Sequence, residues 1–181
     1  GKLMSKPLHD PISKATDENS RIEVKNTTCY MCACRCGIRV NLRDGEVRGR
    51  RMEAREVDLL ARWFVAFRVE AIGAVDGPGL RAEVRRHVER AVGDGQTWVL
   101  EQGGRVVSTS GFNTAIREAV QIGGVYTPPA LRSRGYARAC VAQSLLDARA
   151  EGAHTAILFT GHENLPAQRA YTALGFRQVG A

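Results

Sequence analysis

Lysine is absent beyond residue 25. All four lysines, Lys2, Lys6, Lys14 and Lys25, precede Asn26, and arginine carries the basic character of everything that follows. That break in composition sets the first residues apart from the rest of the chain. Long apolar runs are absent as well: no window approaches the roughly 18 consecutive apolar residues of a membrane span, and the polar N-terminus lacks the apolar stretch of a signal peptide. A spanning helix is excluded, and a cytoplasmic protein without a membrane partner is expected. Aromatic residues are scarce at 6%, yet hydrophobic residues reach 44% and charged ones 25% of the 181 residues. This balance excludes collagen, global disorder and a disulfide-dense miniprotein, and leaves room for one packed domain with a small appendage.

The formal net charge of +7 favours an anionic partner. Nucleic acid is not expected, because the arginines are spread beside Glu and Asp along helical stretches instead of clustering with stacking aromatics. A phosphorylated small molecule suits the charge at least as well.

Residues 1–21 are polar, hold Pro7 and Pro11 and show no periodicity, so a flexible tail is expected there. Residues 22–50 form a Cys-rich segment: Cys29, Cys32, Cys34 and Cys36 crowd together ahead of an alternation of Ile38, Val40 and Leu42. The turn Arg43-Asp44-Gly45 and then Val47 follow, which predicts a hairpin around Asp44-Gly45. From residue 51 the folded domain is expected to begin. Val57, Leu59, Leu60, Trp63, Phe64, Phe67 and Ile72 recur with helical spacing, and a second helix is predicted from Gly79 to Val92. Strands are predicted over Thr97–Leu100 and Arg105–Ser110, joined by Gly103-Gly104, and over Val120–Thr127. A helix over Tyr136–Glu151, a strand over Thr155–Thr160, a helix over Leu165–Leu174 and a last strand after Gly175-Phe176 complete the order. This is an α+β (α/β-like) arrangement around a mixed sheet.

Strand, Gly-containing loop and helix follow one another from Val120 to Glu151. The first amides of a helix lack internal partners, and the helix dipole adds positive potential, so a pyrophosphate can sit there. Gly135 and Ala137 are small where backbone must approach a ligand, and Arg132, Arg134 and Arg138 add charge. Taken alone, the same pattern also describes an ordinary strand-to-helix turn.

The run from Gly123 through Arg132-Ser-Arg-Gly135-Tyr-Ala137-Arg138, with Asn164-Leu-Pro-Ala167 and Tyr171-Thr-Ala-Leu-Gly175-Phe176 downstream, resembles the GNAT superfamily of acyl-CoA-dependent N-acyltransferases. The acyl-CoA signature of that family is Gln or Arg, two residues, Gly, one residue, then Gly or Ala, and Arg132, Gly135 and Ala137 match it. The resemblance covers about 52–181 and implies a mixed, largely antiparallel central sheet flanked by helices. It implies that Val125, Tyr126 and Thr127 run beside the pantetheine arm of acetyl-CoA. It further implies that Arg132, Ser133, Arg134, Gly135, Tyr136, Ala137 and Arg138 hold the coenzyme A pyrophosphate, chiefly through main-chain groups, and that Asn164 and Ala167 border the cofactor. Tyr171 would be the general acid that protonates the departing thiolate; the alternative is a core tyrosine. Asn164, Ala167, Tyr171 and Leu174 share one helix face.

A general base is not singled out: Glu70, Glu101, Glu118, His154, His162 and Glu163 are all available. The implied acceptor is a small-molecule or peptide amine, with Trp63, Phe67 and Glu70 as candidates to line its pocket; Trp63 and Phe67 also read as core. Phe176 and Cys140 read as core residues. Without lysine after residue 25, self-acetylation within the folded domain is excluded. The chain ends five residues after Phe176, where the family runs a longer final strand, so the second copy in a homodimer is one source of the missing edge.

The stretch from Thr27 to Val47 resembles the N-terminus of molybdopterin oxidoreductases of the formate dehydrogenase type. There three cysteines, here Cys29, Cys32 and Cys36, join a fourth to hold a four-iron cluster. The fourth is missing here, and Cys34 is sterically awkward as its replacement. Reduced, metal-free thiols are therefore expected over iron–sulfur or zinc, and the length leaves no room for molybdopterin domains. The Ile38–Arg50 hairpin is expected at the edge of the acyltransferase sheet. A non-catalytic acyl-CoA-binding domain and an oxidoreductase-derived metal module are the rival functions.

Overall fold

The computed structural model describes residues 2–7, 22–28, 37–43 and 47–180. Its strands are β1 (Lys2–Pro7), β2 (Ile22–Thr28), β3 (Gly37–Arg43), β4 (Val47–Arg51), β5 (Thr97–Gln102), β6 (Arg105–Ile116), β7 (Ala119–Tyr126), β8 (Thr155–Thr160) and β9 (Arg177–Gly180). Its helices are α1 (Val57–Ile72), α2 (Pro78–Asp94), α3 (Tyr136–Ala150) and α4 (Leu165–Ala173). From Thr97 onward the elements fall where periodicity and turn residues place them, with ends shifted by a few residues.

Helix limits follow local chemistry. Pro78 opens α2, where a missing N–H costs nothing, and left-handed glycines, Gly73 and Gly95, close α1 and α2. Asn164 caps α4 by accepting from the Ala167 amide at 3.2 Å.

Among the described residues a seven-stranded sheet runs in the order β4-β5-β6-β7-β8-β1-β9. Every neighbouring pair is antiparallel except β7 with β8. The mixed, largely antiparallel sheet is thus the expected one. Alternation along β5 divides the core. Trp98 and Leu100 join Val107, Tyr136 and Cys140 beneath α3, while Val99 joins Leu60, Val84 and Val88 beneath α1 and α2. Helices therefore cover both faces at this end of the sheet. The opposite end has its own core, in which Met4, Ile122, Val141, Leu145, Leu158, Leu174 and Phe176 pack together.

Two expectations are corrected. Lys2–Pro7 belongs to the expected tail, yet it forms β1 inside the sheet, antiparallel to β8 on one side and β9 on the other, with Met4 buried. Six residues containing two lysines, a serine and a proline carry too little pattern to announce a strand whose partners begin 148 positions away, at Pro7 with Thr155; residues 8–21 lie outside the described residues. The place beside β9 is filled by the chain's own N-terminal strand, and its Lys2 and Lys6 bring lysine into the folded domain, so the expected exclusion of self-acetylation there does not hold.

The hairpin around Asp44-Gly45 does not form as expected. Gly37–Arg43 pairs with Ile22–Thr28 in a separate two-stranded sheet, whereas Val47–Arg51 pairs with β5 as an edge strand. Alternation in Ile38, Val40 and Leu42 identifies a strand but not its partner, and Ile22-Glu-Val-Lys upstream competes for it. Of the expected edge hairpin, β4 alone joins the large sheet, ahead of the boundary expected at residue 51. Arg50 fixes β4 by bonding Glu56 through both Nη atoms, at 3.0 and 2.9 Å, and Glu101 at 2.7 Å.

If β1 is integral, Met4→Ala lowers unfolding free energy by about 2–4 kcal/mol, whereas truncating exposed Val179 changes it by less than about 0.5 kcal/mol. Urea titrations of both variants check this.

Candidate active site

β7 and β8 pair only from Ala119 with Thr155 to Ile122 with Leu158. Beyond that point β7 continues with β6 up to Tyr126, and β8 continues with β1 through Phe159 and Thr160. The two parallel strands part, leaving a wedge at their C-terminal ends. At its apex Gly123 faces Gly111, but Tyr126 faces Thr109, so β7 carries an extra residue. Such a bulge leaves main-chain groups outside the ladder. A Cβ on Gly123 would meet the exposed Asn113 side chain at 2.0 Å and force it to move. Gly124, at φ +59°, would place one 3.0 Å from the Phe64 ring.

The loop after β7 leads to the second part of the site. Pro128 and Pro129 start one 3₁₀ turn, Ser133 adopts φ 62° and Gly135, at φ 82°, precedes α3. The first backbone bond of α3 runs from the Ala139 amide to the Gly135 carbonyl at 3.0 Å. The amides of Tyr136, Ala137 and Arg138 therefore precede the helix ladder, at the positive end of the helix dipole. A Cβ on Gly135 would have Arg138 as its nearest neighbour, at 3.7 Å, so the space over these amides is open. Arg134 and Arg138 add positive potential beside it. This cradle fits a pyrophosphate by shape and by charge.

The side chains of Tyr126, Thr127 and Tyr136 are buried and serve the scaffold. The Thr127 hydroxyl pairs with Ser108 at 2.8 Å, the Tyr136 hydroxyl bonds Gln102, and the Tyr126 ring lies against Trp63 and Phe67 of α1, at 6.1 and 6.3 Å between centroids. What these residues offer a ligand is main chain. Arg132 is also engaged within the protein. Its Nε donates to the Thr127 carbonyl at 2.9 Å, its Nη atoms donate to both Glu70 oxygens at 2.6 and 2.7 Å, and its guanidinium lies 5.6 Å from the centre of the Tyr126 ring.

On the α3 side of the wedge, Tyr171 and Val125 both pack on the core that contains Ile122 and Leu174. The Tyr171 ring stands edge-on to Phe176, 6.0 Å between centroids, and burial pushes its hydroxyl up to about 12. The phenol is thus protonated throughout the neutral and mildly alkaline range. The other face of α4 carries an open concavity of about 500 Å³, lined by Leu165, Gln168, Arg169, Thr172 and Ala173. A single helix forms it, and it contributes nothing to the wedge.

Geometry sorts the candidate bases. Glu118 and His154 sit before β7 and β8, at the end of the strands away from the wedge; the His154 amide donates to the Glu118 carbonyl at 3.0 Å. Glu101 belongs to β5 and is held low by its hydrogen bond from Arg50. Glu70 is held low by Arg132 and has both oxygens occupied. His162 and Glu163 follow β8 and are exposed at the wedge end. Phe64 and Asn113 were not among the residues predicted from sequence. Their signal was the Gly123-Gly124 pair inside a strand, which marks a close backbone approach.

The candidate metal ligands Cys29, Cys32 and Cys36 lie outside the described residues. Among the described residues, no group of three or more His, Cys, Asp or Glu side chains is placed to hold a metal ion. Cys140, the one cysteine away from that cluster, is sealed under β5 with its thiol bonded to the Trp98 carbonyl at 3.7 Å. Burial pushes that thiol further above its ordinary range. A thiol so buried is not available as a metal-ligating thiolate.

The parted sheet and the glycine-led helix start belong to an α+β fold whose class is shown by comparisons with known proteins. The acetyltransferase (GNAT) family pattern matches residues 60–176. A predicted acetyltransferase from Clostridium acetobutylicum, solved with acetyl-CoA, superposes with a TM-score of 0.57 at 16% identity over 74% of this chain and 92% of that one. The ribosomal-protein-alanine N-acetyltransferase from Brucella melitensis gives 0.61 at 19% identity over 74% and 86%. The chain belongs to the acetyltransferase (GNAT) family.

Residues 22–57 match the molybdopterin oxidoreductase Fe4S4 domain. A stretch of 41 residues is 68% identical to a sulfite dehydrogenase of Allochromatium vinosum, covering 23% of this chain and only 4% of that protein. No described helix is long and apolar enough to cross a membrane.

Two substitutions probe the backbone of the site. Ser133→Gly relieves a left-handed serine and raises stability by up to about 1 kcal/mol, while Gly124→Ala, strained and pressed on Phe64, lowers it by at least about 1 kcal/mol. Thermal denaturation reads both; equal melting temperatures for the two variants would contradict the assigned backbone.

Proposed function

We propose that this chain is an N-acetyltransferase that moves an acetyl or similar short acyl group from coenzyme A to a primary amine on a small molecule or peptide. The observation that carries this reading is the wedge between β7 and β8 ending at the open amides of α3. It offers unpaired main chain to an amide-bearing arm, and helix-start N–H groups to phosphates. A cytoplasmic setting, where such a donor is plentiful, suits the reading, which needs neither nucleic acid nor membrane.

Acetyl-CoA, when bound, supplies a thioester, whose carbon–sulfur bond is the one broken. The cradle residues Ser133 to Arg138 anchor the phosphates, and β7 from Gly123 to Tyr126 aligns the arm. Fixing amine and thioester together provides much of the rate. The amine forms the new carbon–nitrogen bond and gives up a proton at the end where His162 and Glu163 meet solvent. Tyr171 holds the proton that the leaving sulfur takes. Because its hydroxyl titrates near 12, it remains a donor wherever the protein is folded at neutral or mildly alkaline pH.

Tyr171→Phe is expected to lower kcat by about 100-fold or more with an accepted amine, leaving the acetyl-CoA KM within about twofold. The wild-type rate shows no loss from tyrosine ionisation between pH 7 and 10, since the acid form persists up to about 12. Following thiol release against pH in both proteins checks this. An unchanged kcat in the variant would make Tyr171 a packing residue.

A further inference from the structure

We propose that Glu70 is a positioning residue: it holds Arg132, and through Arg132 the loop from Thr127 to Gly135, in the shape that presents the α3 amides to the cofactor. This inference rests on the reading of that loop as an acetyl-CoA cradle.

Glu70 is badly placed to serve its own helix. It lies in the last turn of α1, at the negative end of the dipole, and that turn has no basic residue. What it gains is a two-pronged pair: Arg132 donates through both Nη atoms, at 2.6 and 2.7 Å, to the two carboxylate oxygens. Such fork-to-fork bonding fixes direction as well as distance, which a lysine does not provide.

Arg132 is held from two further sides. Its Nε reaches back to the Thr127 carbonyl at 2.9 Å, closing the Pro128-Pro129 turn upon itself, and its flat face lies over Tyr126. Tyr126 in turn is flanked by Trp63 and Phe67, two turns and one turn before Glu70 on the same helix. The loop is thus tied to α1 by a charge pair and, through Tyr126, by tilted and edge-on aromatic contacts. Most of its own residues are exposed, and one of them, Ser133, adopts a left-handed conformation that costs energy in a residue other than glycine.

The arrangement assigns different work to the three arginines of the loop and helix start. Three N–H groups of Arg132 are spent on Thr127 and Glu70, so its side chain shapes the loop. Arg134 and Arg138, with the main-chain amides, remain to meet phosphate. Glu70, occupied at both oxygens, is not the base.

The test measures acetyl-CoA dissociation constants by calorimetry for wild type, Glu70→Gln, Arg132→Lys and the double variant Glu70→Gln with Arg132→Lys, with melting temperatures as a check of folding. Loss of a half-exposed pair is expected to weaken binding about threefold to tenfold in each single variant. The double variant is expected to bind within about twofold of the weaker single variant, because both changes break the same pair. Hydrogen exchange over residues 128–135 should quicken in all three variants.

Glu70→Gln binding as tightly as wild type, or more tightly, would overturn the inference, since Glu70 would then be idle or would be withholding Arg132 from phosphate. Losses that multiply in the double variant would overturn it too. Wild type that binds no acetyl-CoA defeats the functional reading itself. Wild type that binds while Glu70→Gln is unaffected defeats only this inference.

Discussion

Hydrogen bonds that the main chain does not make with itself govern this structure. Two parallel strands, β7 and β8, leave each other after four residue pairs, and the following helix begins on a left-handed glycine. Both features leave peptide groups without internal partners, a cost that buried backbone rarely carries. The fold meets it at solvent-facing positions and supports them from beneath. Gly123 and Gly124 let Asn113 and Phe64 come close to the bulge, and the Ile122, Leu158 and Val141 core keeps the strands anchored up to the point where they part.

That core reaches further than the cleft. Met4 of β1 sits in it beside Leu158, Leu174 and Phe176, so the strand at the N-terminal end of the chain supports the helix that carries Tyr171. Sheet, helix and phenol form one mechanical unit. At the opposite edge, β4 is fastened through Arg50 to Glu56 and Glu101; burial is the largest single influence on the Glu56 carboxyl, but hydrogen bonds from Arg50, the Glu53 amide and Arg55 together outweigh it and hold the group low. The strand that closes the sheet at this edge lies within the 22–57 stretch matched by the iron–sulfur family.

Much of this was legible in the residues. Helical spacing from Val57 to Ile72, the Gly103-Gly104 turn, the strand ending at Pro128-Pro129 and the helix opening on Gly135-Tyr136 are local signals, and local physics wrote them. The glycine-led loop and helix start were legible because their demands are local too: small residues, helix-start amides and nearby arginines. Contacts across long stretches of chain were not. Nothing in Lys2–Pro7 names β8 as its neighbour, nothing in Ile38 to Leu42 chooses between β2 and a later strand, and Glu70 shows no sign in sequence of meeting Arg132. Such pairings are set by which surfaces the finished fold brings together.

Calorimetric titration of acetyl-CoA into wild type and Gly135→Glu tests the central claim most directly. A glutamate there adds a side chain in a left-handed position and puts a negative charge where the α3 amides await phosphate. Saturable binding to wild type and at least a hundredfold loss in a variant that still folds is the predicted result, a difference of about 3 kcal/mol. Equal binding by both, or none by wild type, would contradict the claim that this helix start is the cofactor cradle.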